Sequence, residues 1–117
     1  MEPLELATLA AKALDSKKAQ DLKVLKVHDL TVLADYFVIA TGTSTTHVGS
    51  LAGEVDYKLS ELGIEPNRRE GADSKTWILL DYGSVIVHVF TPDARDFYSL
   101  ERLWADAEQL DIELEQE

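Results

Sequence analysis

The chain has 117 residues, a formal net charge of −11 and no cysteine. That length suits one domain able to bury a core unaided, and the missing thiols exclude a disulfide framework and thiolate metal sites. So acidic a surface repels phosphate backbones, which argues against direct nucleic-acid binding, sequence-specific or not, and favours encounter with a basic protein.

No apolar run reaches the length of a membrane span, and the N-terminus lacks the basic head, apolar middle and small-residue cleavage pattern of a signal peptide. A cytoplasmic protein without membrane contact is expected. Glu2-Pro3 opens a helix, because Pro at the first helical position forfeits no hydrogen bond. Leu6, Leu9, Ala10, Ala13 and Leu14 recur at helical spacing, and Asp15 to Lys18 end the run. Leu22 to Val27 reads as a short strand broken by Lys23 and Lys26, as at a sheet edge or on a partly exposed face. The linker His28 to Ala34 is too short for a crossover, so the buried strand Tyr36 to Thr41 is expected antiparallel to it.

Gly42 to Thr46 is a small, hydroxyl-rich turn that can cap a helix. The helix follows with Val48, Leu51, Ala52, Val55, Leu59 and Leu62 on one face, and Gly63 stops it. Pro66 and Arg68-Arg69 allow at most a short edge strand over Ile64 to Glu70. Thr76 to Phe90 then predicts a β-hairpin turning at Tyr82-Gly83. The apolar triplets Ile78 to Leu80 and Val85 to Val87 predict strands that are both central and covered on two faces. Trp77, Asp81, Tyr82 and His88 break that pattern and are the places where the hairpin can meet something else.

Thr91-Pro92-Asp93 opens a last helix, with Phe97, Leu100, Leu103 and Trp104 expected on the sheet and Tyr98 pointing elsewhere. Residues 105–117 hold six acids and no base and read as an acidic solubilising tail, although Leu110, Ile112 and Leu114 alternate as in a strand. The expected fold is a single α/β domain over residues 1–104, with a mixed sheet of about five strands flanked by helices.

Catalytic constellations are hard to find. The Gly42 to Thr46 turn sits between a strand and a helix, where phosphate-binding loops sit, but lacks the Lys of a P-loop and the spaced glycines of a dinucleotide loop. His28, His47 and His88 never stand at a metal-ligand spacing, so no metal site is expected. The strands offer lone acids, Asp35 and Asp81, where a two-metal site wants a pair projected to one side. Trp77, Tyr82, Phe90, Tyr98 and Trp104 concentrate in the last third, and such residues anchor protein interfaces. Of these Phe90 and Trp104, together with Phe97, are expected in the core.

Asp35-Tyr36-Phe37-Val38-Ile39-Ala40-Thr41-Gly42-Thr43-Ser44, Gly71, Trp77 to Gly83, Val85 to Phe90 and Tyr98 to Trp104, taken in order, closely resemble the ribosomal silencing factor, or Iojap, family. The resemblance implies a fold similar to nucleotidyltransferases but without their metal-binding acids, hence no enzyme and no cofactor. It also implies binding to the large ribosomal subunit at ribosomal protein fourteen, on the face that meets the small subunit, so that subunit joining is blocked and translation falls when nutrients are scarce. A homodimer is expected as well. The residues expected to bind the partner are Trp77, Asp81, Tyr82, His88, Asp93, Arg95 and Tyr98, with Trp77 and Tyr98 as apolar anchors and Asp81 and Asp93 facing basic side chains. The rival reading is a nucleotidyltransferase-like enzyme that holds phosphates on the Gly42 to Thr46 turn.

Overall fold

The computed structural model describes residues 1–112. Its elements are α1 (Pro3–Ser16), β1 (Gln20–Lys26), β2 (Tyr36–Thr41), α2 (Thr45–Ser60), β3 (Arg68–Glu70), β4 (Trp77–Asp81), β5 (Val85–Phe90), α3 (Pro92–Tyr98), α4 (Leu100–Leu103) and β6 (Glu108–Leu110). Among the described residues the strands form one mixed sheet in the order β3-β4-β5-β2-β1-β6, in which β2 and β5 run parallel and the other neighbours antiparallel. The chain passes from β2 through α2 to β3 at the sheet edge and returns through β4, which brings β5 alongside β2 in the parallel sense.

The two faces of the sheet have separate cores. Strand alternation sends Val24, Val38, Ala40, Ile78, Leu80, Val85, Val87 and Val89 to the first face, under α1 and α2. Leu25, Phe37, Ile39, Ile86 and Phe90 go to the second, where Leu100 and Trp104 pack. Helix α1 starts on a capping box between Glu2 and Glu5, and α2 starts where the Ser44 hydroxyl accepts the His47 N–H.

Three expectations are corrected, and the strand count is refined. The sheet has six strands because Glu108–Leu110 pairs antiparallel with β1, giving the outer edge of β1 its hydrogen-bond partners. Leu110 and Ile112 pack against the first-face core, while Leu114 lies outside the described residues. The hairpin loop is Gly83-Ser84, one position later than expected, since Tyr82 N–H still donates to the Val85 carbonyl at 2.9 Å. Gly83 takes the positive φ there, +85°, and its N–H is caught by Asp81 Oδ1 at 2.8 Å.

The hairpin is also asymmetric: β5 is buried throughout, whereas Trp77, Leu79 and Asp81 of β4 are only partly covered. Beyond β4 lies only the three-residue β3, and on the second face α3 packs on β5 while Trp104 packs on Phe37 of β2. Finally, the last helix is broken. Ser99 adopts φ +48° between α3 and α4, which resets the helical phase. Leu100 and Trp104 still reach the core, but Phe97 and Leu103 are left 80% and 71% exposed, and Tyr98 turns onto the sheet.

Candidate functional site

The register across the second face determines which side chains meet. Trp77 stands opposite Phe90 and Phe90 opposite Thr41; Leu79 stands opposite His88 and His88 opposite Ile39. Trp77 is the centre of an aromatic group, with ring centroids 4.5 Å from Tyr98, 5.0 Å from Phe90 and 5.9 Å from His88. Phe97 continues the group outward, edge-on to Tyr98 at 5.0 Å. The outcome is an apolar strip, half-buried at Trp77 and Leu79 and open at Tyr98 and Phe97, on a chain whose net charge is −11.

His88 lies beneath that strip. It is 5% exposed and accepts a hydrogen bond at Nδ1 from Trp77 Nε1–H, 3.1 Å away, which leaves its proton on Nε2. Nε2 finds no hydrogen-bond partner among the described residues. Burial pulls its pKa down to about 4, so the ring is neutral near pH 7 and remains an acceptor for the indole. Its place is thus to fix the indole plane from below, with Phe37 edge-on at 5.1 Å.

The charged residues divide. Asp93 is exposed in the first turn of α3. Asp81 is partly covered and already engaged, holding the Gly83 N–H and accepting from Arg68 Nη2 at 3.3 Å. Arg95 points inward, 8% exposed, donating to Thr41 Oγ1 at 2.8 Å and to Glu101 Oε2 at 3.0 and 2.8 Å. Burial pushes the Glu101 carboxyl up, but the hydrogen bond from Arg95, a backbone hydrogen bond and the charges of Arg95 and Lys23 together hold it below its ordinary value. Tyr82 is on the other face altogether. It packs on the first-face core with its hydroxyl buried, and burial followed by the charge of Asp56 pushes that phenol up.

The fold therefore brings Trp77, His88 and Tyr98 together, keeps Asp93 and Asp81 at the surface nearby or along β4, and sets Tyr82 apart. Leu79 and Phe97 belong to the strip but escaped sequence reasoning. The apolar triplet hid the first and the assumed continuous helix hid the second. The exposed run Leu30, Val32 and Leu33, between β1 and β2, also escaped it, although three apolar residues in a short linker without strand or helix period are a readable signal.

The Gly42 to Thr46 turn is committed to the fold. Thr43 N–H donates to His47 Nδ1 at 2.9 Å, His47 N–H to Ser44 Oγ at 3.1 Å, and His47 Nε2–H to the Lys17 carbonyl at 2.8 Å. Two of the amides at this turn, those of Thr43 and His47, are thereby engaged, and the His47 ring staples the end of α1 to the start of α2. A Cβ on Gly42 would stand 2.8 Å from Val48 N, so the glycine serves the close approach of the turn to its helix. His28 pairs with Asp35 at the far end of the sheet, away from both regions. Among the described residues no three of His, Cys, Asp and Glu gather as metal ligands do.

Comparison with known proteins connects this arrangement to a family. The family model described as "Ribosomal silencing factor during starvation" matches residues 1–117. A Bacillus subtilis protein named ribosomal silencing factor RsfS is 39% identical over 113 residues, covering 97% of this chain and 96% of its own. A mouse protein named mitochondrial assembly of ribosomal large subunit protein 1 is 35% identical over 94 residues, 78% of this chain and 41% of its own. The crystal structure of a Chromobacterium violaceum protein superposes with a TM-score of 0.88 at 38% identity, over 96% of this chain and 92% of that one. With its full length matched and its six-stranded fold shared, the chain belongs to the ribosomal silencing factor family.

Proposed function

We propose that this protein is a translation repressor that binds the large ribosomal subunit through ribosomal protein fourteen and sterically prevents the small subunit from joining. The observation that carries the reading is the aromatic strip of Trp77, Tyr98 and Phe97, with the exposed acid Asp93 one helical turn before Phe97 in α3. Aromatic anchors beside carboxylates suit a basic protein surface, and the net charge of −11 keeps the factor off the surrounding RNA except where that protein is presented. The names of the bacterial and mouse relatives, a ribosomal silencing factor and a protein of large-subunit assembly, support a ribosomal partner. The role needs no reaction, cofactor or metal, and acts where ribosomes are, in the cytoplasm.

Within this reading Trp77 and Tyr98 are the anchors, Asp93 and Asp81 meet cations, and His88 and Arg95 contribute from beneath. Tyr82 contributes only through the β4–β5 turn. Homodimerisation through the same strip belongs to the proposal. The test is cosedimentation of the purified protein with isolated large subunits, small subunits and joined ribosomes, followed by reassociation. Binding to free large subunits with loss of joining is expected, and Trp77→Ala weakens it by about 2 kcal/mol or more. A folded wild-type protein that binds none of the three particles refutes the proposal.

A further inference from the structure

We infer that Arg95 is a positioning residue: itself buried, it forms with Thr41 and the partly covered Glu101 a latch that folds the chain back at Ser99 and lays Tyr98 on Trp77. The inference rests on the reading of the aromatic strip as the partner-binding face, and deepens it by separating what touches the partner from what shapes the surface.

The latch joins three segments. Thr41, 4% exposed, is at the end of β2, in the row that runs through Phe90 to Trp77. Arg95 is in the body of α3, and Glu101 is in the first turn of α4. One guanidinium spans all three through Nη1, Nε and Nη2, and Lys23 of β1 adds a second cation 4.0 Å from the same Glu101 oxygen. With these nitrogens engaged and the side chain 8% exposed, Arg95 has almost nothing to offer a partner directly.

Helical geometry shows why the pair and the break need each other. In an unbroken helix, residues six apart stand about 120° away from one another around the axis, so Arg95 and Glu101 could not share hydrogen bonds. The left-handed Ser99, φ +48°, turns Glu101 back over Arg95, with the Ser99 N–H still donating to the Arg95 carbonyl at 2.9 Å. A non-glycine residue in that conformation is unfavourable and persists only when its surroundings hold it. Tyr98 is the residue just before the break. Its ring reaches both Trp77, at 4.5 Å, and Phe90, at 6.3 Å, from a helix α3 that the Arg95–Thr41 hydrogen bond holds against the end of β2.

The experiment uses the full chain with Glu101→Gln, Arg95→Met, Tyr98→Ala and the double variant Glu101→Gln/Tyr98→Ala. Near-UV circular dichroism reads the Tyr98–Trp77 contact, the wild-type minus Tyr98→Ala spectrum serving as its signature, and cosedimentation with large subunits reads binding. Glu101→Gln keeps an acceptor in place, so it remains informative should Arg95→Met fail to fold. The expected result is that Glu101→Gln loses much of the signature and weakens binding about tenfold, while adding it to Tyr98→Ala weakens binding no further. Losses that multiply in the double variant, or a latch variant that keeps the full signature while binding falls, overturn the inference. A wild type that binds no large subunit overturns the proposed function instead, and the spectra of the latch variants still decide the latch.

Discussion

Lowering the pH should withdraw the contribution of His88, and the structure sets both the sign and the size. The ring is 5% exposed and neutral, with burial pulling its pKa from 6.5 to about 4. Unfolded, the same imidazole titrates near its ordinary value, so between the two values the unfolded chain binds the extra proton and the folded one refuses it. Stability from this group is therefore fully present above about pH 6.5, falls as the pH drops through the window, and levels off below about pH 4. At about 1.4 kcal/mol per pH unit the window amounts to about 3 kcal/mol. The comparison is His88→Asn, whose side-chain oxygen can still accept the Trp77 N–H but which does not titrate. Urea unfolding of both proteins at several pH values from 7.5 to roughly 4 separates the histidine from the carboxylates, which both proteins share. The variant is less stable at pH 7.5 for want of ring packing, and its deficit shrinks by about 3 kcal/mol toward pH 4. Parallel pH profiles would show that His88 titrates alike in both states, and the account of a ring held neutral under Trp77 would be wrong.

Three further outcomes are expected. Gly71→Ala introduces a Cβ 1.8 Å from the Trp77 carbonyl oxygen at φ +89°, so it should destabilise the chain by more than about 3 kcal/mol in urea unfolding; a shift below about 1 kcal/mol would mean that the loop before β4 is free to move. Asp81→Ala frees the Gly83 N–H, which should raise amide exchange at Gly83 and lower stability by about 1 kcal/mol, and unchanged exchange would remove the carboxylate from the turn. Phe97→Ser, at a side chain 80% exposed, should leave stability within about 0.5 kcal/mol yet reduce large-subunit binding in cosedimentation, and undiminished binding would place Phe97 outside the interface.

What the sequence makes legible here follows from how far each signal reaches. Phe37 to Ala40 and Val85 to Val87 are continuous apolar runs because both strands are buried on two faces, and that property is written in each segment alone. Ile78-Leu79-Leu80 carries the same local pattern, but the exposure of Leu79 is decided by what stands beyond β4, a three-residue strand in place of another full one. Ser99 is an ordinary residue for a helix, so nothing local announces a left-handed break; the tertiary pair Arg95–Glu101 holds it. The same limit applies to the site. The aromatic content of the last third is visible in composition, whereas the union of Trp77 with His88 and Tyr98 depends on a hairpin register and a helix break. Arg95 and Tyr82 show the reverse case, polar residues that look available in a sequence and turn inward because a buried partner or a core contact claims them.

The edges of the sheet bear on how a second copy can compete with the ribosome under the proposed reading. Strand pairing between copies needs a row of free backbone groups of some length, and β3 and β6 are three residues each. The β3 edge is further obstructed by its own charges: Arg68 pairs with Glu70 at 2.9 Å and reaches Asp81, and Arg69 pairs with Asp56 at 2.7 Å. At the other edge, Glu108 adds to the acidity of a chain that already repels its own copy. Edge-to-edge association is thereby disfavoured, which leaves side-chain faces, and the strip through Trp77, Tyr98 and Phe97 is the one with aromatic anchors. A dimer built on it would bury the groups that the large subunit needs. Under the proposal, binding to the subunit and self-association would draw on one surface, and mass action would set them against each other, since raising the concentration of the factor would promote both.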